Sequence, residues 1–253
     1  MRNLRLKIEY DGTNYAGWQI QNGLRLKSIG CQKKTLQGVM ERVLKEIFKD
    51  DIRLVASGRT DAGVHALGQA ANFKTDSRIN LDNLKKAFNG LLPDDIAVKK
   101  IEEVGLDFHS RFNACSKIYR YTILNRDYPA PLLRNTVYFC PHPLDVNLMR
   151  REAKILLGRH DFKAFQGRAS KKNGSVRHIK TLKIIKKDDL LYIDMEANGF
   201  LYNMARIIAG TLIELGRGKF SAGSMRRILY SRNRRLAGPT APAHGLCLVK
   251  VNY

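Results

Sequence analysis

The chain has 253 residues, 44% of them hydrophobic, with 45 Lys or Arg against 23 Asp or Glu, a formal net charge of +22. The apolar share suffices for a core and excludes wholesale disorder. No run approaches the roughly 18 apolar residues that a membrane span requires.

The cations recur at 25–34, 85–86, 99–100, 168–172, 183–187 and 226–235 rather than in one tail. A folded body with dispersed cations suits an extended phosphate backbone better than an acidic membrane surface, so nucleic acid is the expected partner. Arg2, Arg5, Lys7 and Glu9 leave no apolar stretch of the kind that opens a secretory signal. Cys31, Cys115, Cys140 and Cys247 lie far apart with no C-x-x-C pair, which points to reduced thiols rather than a disulfide framework or a metal site.

Leu4-Arg-Leu-Lys-Ile-Glu-Tyr10 alternates strictly, predicting a half-buried strand with Leu4, Leu6, Ile8 and Tyr10 inward. Leu36, Val39, Met40, Val43, Leu44, Ile47 and Phe48 recur at helical spacing. Residues 51–57 and 69–75 are expected strands. Asn80 caps a helix through Leu84 and Phe88 to Leu91, stopped by Pro93, and 96–104 is a further strand. In the second half, 118–124 is a strand, and 127–143, with four prolines, is largely irregular. A helix is expected over 147–157. Residues 176–187 and 190–197 predict a hairpin across Asp188-Asp189. Apolar 201–215 predicts a buried helix, followed by a helix after Ser221 and a strand at 246–251. Strands meet strands as often as helices, which gives an α+β class with mainly antiparallel sheet. The expected division is 1–104 and 105–253.

Ala56-Ser-Gly-Arg-Thr-Asp-Ala-Gly-Val-His-Ala66 packs two glycines, an arginine, an aspartate and a histidine into one turn after a short strand. Glycine lets backbone approach a ligand closely, Arg59 can hold phosphate or a carboxylate, and Asp61 is a carboxylate in a polar turn. Spacing alone leaves a purely structural turn equally open, with Asp61 capping amides and Arg59 pairing with it. No G-x-G-x-x-G or Walker-type lysine loop is present, so no nucleotide cofactor is expected.

Gly58-Arg-Thr-Asp-Ala-Gly-Val-His65 resembles the catalytic loop of the TruA-type tRNA pseudouridine synthases. Other motifs match that family in order. These are Tyr10-Asp-Gly-Thr-Asn-Tyr-Ala-Gly-Trp-Gln19, Thr35-Leu-Gln-Gly38, Gly68-Gln69, Phe108-His-Ser-Arg-Phe112, Lys117-Ile-Tyr-Arg-Tyr121, and His160-Asp-Phe162 with Phe165. Asn198-Gly-Phe-Leu-Tyr-Asn-Met-Ala-Arg-Ile-Ile-Ala-Gly210 and Ala241-Pro-Ala-His-Gly-Leu246 complete the set. The resemblance spans essentially the whole chain. The link 22–34 departs from it, being longer and more basic than usual.

The resemblance implies two similar α/β halves sharing a continuous, mainly antiparallel sheet with a central RNA-binding cleft. It implies a cytoplasmic, cofactor-free, metal-free homodimer that isomerises uridine to pseudouridine at positions 38, 39 and 40 of the tRNA anticodon stem-loop. Asp61 is then the nucleophile, attacking C1′ of the ribose or C6 of the base, or acting through a glycal. An aspartate ordinarily titrates near pH 3.9, so it needs no activating base at neutral pH. Arg206 matches the family's basic residue on the central helix, which pairs with the aspartate. An arginine between Ala205 and Ile207 calls for a partner in any case. Tyr119 matches the tyrosine that lies against the uracil, with Tyr121 on the same strand face as its competitor. Leu246 belongs to the apolar wall of the site or to plain core. Arg59 contacts phosphate or helps extrude the nucleotide. His65 organises the loop or touches RNA, and Trp18 is core or contact surface. Two rival readings are a synthase acting on another RNA, for which the link 22–34 is the candidate determinant, and a non-catalytic RNA-binding module.

Overall fold

The computed structural model describes residues 1–20, 34–167 and 174–253. Of the basic link 22–34 only Lys34 is included, and Cys31 and the 168–172 run lie outside the described residues. The chain forms two compact units, Met1–Cys115 with Leu248–Tyr253, and Ser116–Cys247. Both mix helices with antiparallel strands, the α+β class that the element pattern predicts.

In the first unit, β1 (Arg2–Tyr10) pairs antiparallel with β3 (His65–Thr75) on one side and β4 (Ile96–Val104) on the other. The two-residue β2 (Val55–Ala56) adds to β3. Leu4, Leu6, Ile8 and Tyr10 are buried, as their alternation requires. Helices α1 (Leu36–Phe48) and α2 (Leu81–Leu91) start where their caps do. The Thr35 hydroxyl accepts from Gly38 N, and the Asn80 carboxamide accepts from Asp82 N and Asn83 N. Phe73 of β3 meets Phe48 of α1 at 5.8 Å and Phe88 of α2 at 6.4 Å, so three aromatic rings knit sheet to helices.

The strand expected over 51–57 shrinks to β2. Leu54 N donates to Glu41 Oε1 (2.9 Å) and Leu54 O accepts from Gln37 Nε2 (3.3 Å), so side chains of α1 take up backbone groups that a ladder would use. Residues 105–115 fold with this unit. The wholly buried Asn3 donates to Gly105 O and Phe108 O, Ser110 N donates to Asn72 Oδ1, and Tyr253 donates to Ser110 O. Arg5 lies over the Phe108 and Tyr253 rings at 5.4 and 5.0 Å.

In the second unit β5 (Ser116–Leu124) pairs with β9 (Leu190–Ala197), β9 with β8 (Val176–Lys187), and β8 with β7 (Gly158–Asp161). The short β6 (Tyr138–Phe139) runs parallel to β5. The β8–β9 turn falls at the expected Asp188-Asp189, with Asp188 at φ 52°. Helix α3 (Val146–Ala153) continues as a 3-10 turn, Lys154–Leu156, covering the span expected as one helix.

Helix α4 (Met204–Gly216) is apolar on nearly every side and buried, starting three residues later than its hydropathy suggests. Asn203 at φ 60° breaks the turn ahead of it. Helix α5 (Ser224–Ser231) begins where buried Glu152 of α3 accepts from Gly223 N and Met225 N, capping it from a neighbouring element. The last strand, β10 (Leu246–Asn252), belongs from Leu248 onward to the first unit, beside β3.

No disulfide joins Cys115, Cys140 and Cys247. Among the described residues no group of three or more His, Cys, Asp or Glu is arranged to hold a metal ion, and no helix is long and apolar enough to cross a membrane.

Candidate active site

Asp61 sits on the connection between β2 and β3, and that loop is fixed at its start, middle and end. At its start Ser57 N donates to Ala70 O (2.8 Å) and the Ser57 hydroxyl donates to Gln69 Oε1 (2.8 Å). Gln69 is fully buried. Its Nε2 donates to Gly58 O (3.0 Å), while its Oε1 also accepts from Ala70 N (3.1 Å). In the middle, the hydroxyls of Thr60 and Tyr10 bond at 2.8 Å, and Trp18 N donates to Thr60 O at 3.1 Å. After Asp61 the chain turns tightly, Val64 N donating to Asp61 O, with Gly63 at φ 77°.

The 11–18 segment is the platform beneath this loop. A Cβ on Gly12 would lie 2.1 Å from Val64 O, and one on Gly17 would lie 2.7 Å from Thr60 O, so only glycine admits the approach at these positions. His65 is buried, with Nδ1 3.1 Å from Gly12 N and 3.0 Å from Asp11 Oδ1. Burial works to raise the Asp11 pKa. The hydrogen bonds from Thr13 and the interaction with His65 outweigh it, leaving Asp11 below the usual carboxylate range. Thus His65 organises the loop, and Trp18, 1% exposed and 6.0 Å from the Tyr10 ring, is core. Asp61 itself is half-buried and Arg59 exposed, while Thr60 between them is buried. The loop therefore holds its backbone down and offers alternate side chains outward.

The second unit holds Tyr119, Arg206 and Leu246. Tyr119 and Tyr121 share a face of β5, and their surroundings differ. Tyr121 donates its hydroxyl to Pro242 O (3.0 Å), and its ring lies directly against Gly245, where an added Cβ would fall 2.6 Å from Cζ. Burial pushes the Tyr121 hydroxyl far above its ordinary range. Tyr121 is thus the post under the segment that carries buried Leu246, while Tyr119 meets Phe200 edge-on at 4.9 Å.

Arg206 lies in the first turn of α4. Its Nε donates to Ala241 O (2.8 Å) and Nη1 to Asn203 Oδ1 (3.2 Å), and Arg206 O accepts from Ala241 N (3.2 Å). The 238–241 segment can reach it because Gly210 has no side chain. A Cβ there would sit 2.0 Å from Pro239 O. Gly238 N donates to the Thr211 hydroxyl, which holds the same segment at its start. These contacts orient one edge of the guanidinium within this unit.

The platform residues Gln69, Tyr10 and Thr60 escape a reading of chemistry alone, since none has the reactivity that draws attention. For Gln69 the signal is a polar side chain inside β3 among the buried Ala66, Ala70 and Ala71.

The family model described as tRNA pseudouridine synthase matches residues 7–113 and 153–253. The chain belongs to the tRNA pseudouridine synthase family. Tyr10, the 11–18 platform, Asp61, Gln69, Arg206 and Leu246 all lie in the matched parts, and β5 with Tyr119 lies between them. Similar relatives span the full length. The protein named tRNA pseudouridine synthase A of Acetivibrio thermocellus is 47% identical over 253 residues, covering 100% of both chains. Its namesake in Caldicellulosiruptor saccharolyticus is 46% identical, again over 100% of both. The protein named tRNA pseudouridine synthase A 2 of Clostridium tetani is 45% identical over 252 residues, 100% of this chain and 99% of that one. The solved structure titled "Crystal Structure of a Cbf5-Nop10-Gar1 Complex" is similar at 10% identity and a TM-score of 0.34, covering 97% of this chain and 58% of that one.

Proposed function

We propose that this chain converts uridine to pseudouridine at positions 38, 39 and 40 of the tRNA anticodon stem-loop, with Asp61 as the nucleophile. The N1–C1′ bond of the target nucleoside breaks, a C5–C1′ bond forms, C5 gives up its proton and N1 gains one. Atoms and charge balance without an external reagent. Arg206 supplies the cation that steadies the Asp61 carboxylate, Tyr119 stacks against the uracil, and Leu246 contributes apolar wall. Arg59, exposed two residues before the nucleophile, meets the phosphate of the everted nucleotide. The chain acts as a cytoplasmic homodimer.

The observation that carries this reading is the Asp61 loop. Buried Gln69 and Trp18 bond its backbone and Tyr10 holds the Thr60 hydroxyl, while Asp61 is only half-buried. That is the pre-organisation a nucleophile needs. The test is complementation. In cells lacking this gene, pseudouridine at 38–40 is expected to return with the wild-type chain and not with Asp61→Asn. Restoration by Asp61→Asn would sink the assignment, and modification returning only at other sites would relocate the substrate. A homodimer is checked by light scattering, where a mass equal to one chain would overturn it.

A further inference from the structure

Arg159, His160, Asp161, Leu229, Tyr230 and Arg232 of the second unit line an open cavity of about 350 Å³. One wall is β7, the edge strand, and the other is the last turn of α5. Leu229 is buried, while the adjacent Tyr230 is 66% exposed. The carboxylate in the lining is already committed. Asp161 accepts from Lys163 N (3.1 Å) and from the Ser175 hydroxyl, and pairs with Arg232 Nε at 3.0 Å. Arg232 reaches it because it ends α5 in the left-handed conformation, φ 54°. His160 is engaged as well, its Nε2 2.7 Å from Leu157 O.

Arg159 is exposed at the rim. Arg226 and Arg227, also exposed, stand four and three residues before Tyr230 and so share its helix face. A bare aromatic ring flanked by guanidinium groups over an apolar floor matches the chemistry of a nucleotide, a flat base with a phosphate on either side. The volume, at the lower end of the range for small-molecule sites, roughly 300–1,000 Å³, suits one such unit. A second copy of this chain would set arginine against arginine.

We propose that this cavity receives one unpaired nucleotide of the bound RNA. Its base stacks on Tyr230, and its flanking phosphates lie against Arg159, Arg226 and Arg227. The inference rests on the tRNA reading above and adds a contact site outside the Asp61, Tyr119 and Arg206 set.

The experiment measures binding of labelled full-length tRNA to wild type, Tyr230→Ala, Tyr230→Phe and Arg159→Ala across a salt series. Single-turnover conversion at saturating enzyme is measured alongside. Tyr230→Ala is expected to weaken binding about 5- to 100-fold with saturated turnover within about twofold. Tyr230→Phe keeps the ring and binds as wild type. Arg159→Ala lowers the slope of log affinity against log salt by about one. Because Tyr230 is exposed, unchanged unfolding midpoints are expected for both tyrosine variants. Wild-type affinity in Tyr230→Ala overturns the inference, as does equal loss in Tyr230→Phe, and both leave the parent reading intact. Failure of the wild-type chain to bind tRNA sinks both.

Discussion

Replacing Gln69 with Leu removes three hydrogen bonds from beneath the Asp61 loop at once. Those to Ser57, Gly58 and Ala70 are 2.8, 3.0 and 3.1 Å long around a fully buried carboxamide. Leucine fills similar volume, so the loss is polar rather than steric. At about 1 kcal/mol net for each bond, the cost is about 2–4 kcal/mol, with the upper part coming from the carbonyl of Gly58 left facing apolar carbon. For a chain of this size that corresponds to a drop in melting temperature of roughly 5–15 °C. Gly58 lies three residues before Asp61, so release of its carbonyl also loosens the nucleophile. Saturated single-turnover conversion, measured well below the melting transition, is expected to fall about 10- to 100-fold. Calorimetry and a rapid-quench assay on one preparation read both quantities. A lowered melting temperature with an unchanged rate would refute the link from clamp to catalysis, and no change in either would refute the clamp.

Gly210→Ala places a methyl group 2.0 Å from Pro239 O and is expected to push the 238–241 segment off α4, costing Arg206 its Ala241 anchor. Turnover should drop by at least about tenfold, and wild-type turnover in this variant would contradict the account of that anchor. Tyr121, held neutral by burial, stabilises the fold fully below about pH 10, where a tyrosine in the unfolded chain begins to ionise, and loses that contribution as pH climbs further. Urea midpoints of the wild type should therefore fall more steeply between pH 9 and 11 than those of Tyr121→Phe. Parallel curves would show that this hydroxyl is not the group concerned. With a net charge of +22, tRNA affinity should weaken steeply with salt, log affinity falling by about 0.9 per duplex phosphate contacted for each tenfold rise. A flat response would assign the charge another use.

The periodic signals that read most plainly in the sequence were those in which apolar residues carry the pattern. Leu4, Leu6 and Ile8 mark β1, and Leu36 to Leu44 mark α1, because burying those faces is what forms them. What periodicity missed is polar. Asn3, wholly buried, gathers residues 105–115 onto the first unit through Gly105 and Phe108, a link that an apolar pattern does not register. The strand expected over 51–57 lost its ladder to Gln37 and Glu41, side chains more than ten residues away. Gly158–Asp161, to which the apolar pattern assigns no element, is a strand because β8 lies beside it. The candidate site follows the same rule. Motif order points to Asp61, Tyr119 and Arg206, with Tyr121 as the competitor of Tyr119, and says little of the side chains that hold them in place. Those supports show in where hydroxyls and carboxamides point, Tyr121 to Pro242 and Gln69 to Gly58.

The most direct measurement uses tRNA carrying tritium at C5 of its uridines. Formation of the C5–C1′ bond expels that hydrogen, so each conversion frees one tritium into water. Stoichiometric release is expected from the wild-type chain and none from Asp61→Asn, with both binding the tRNA equally well. Tritium release by Asp61→Asn at an appreciable rate would mean that the chemistry runs through some other group.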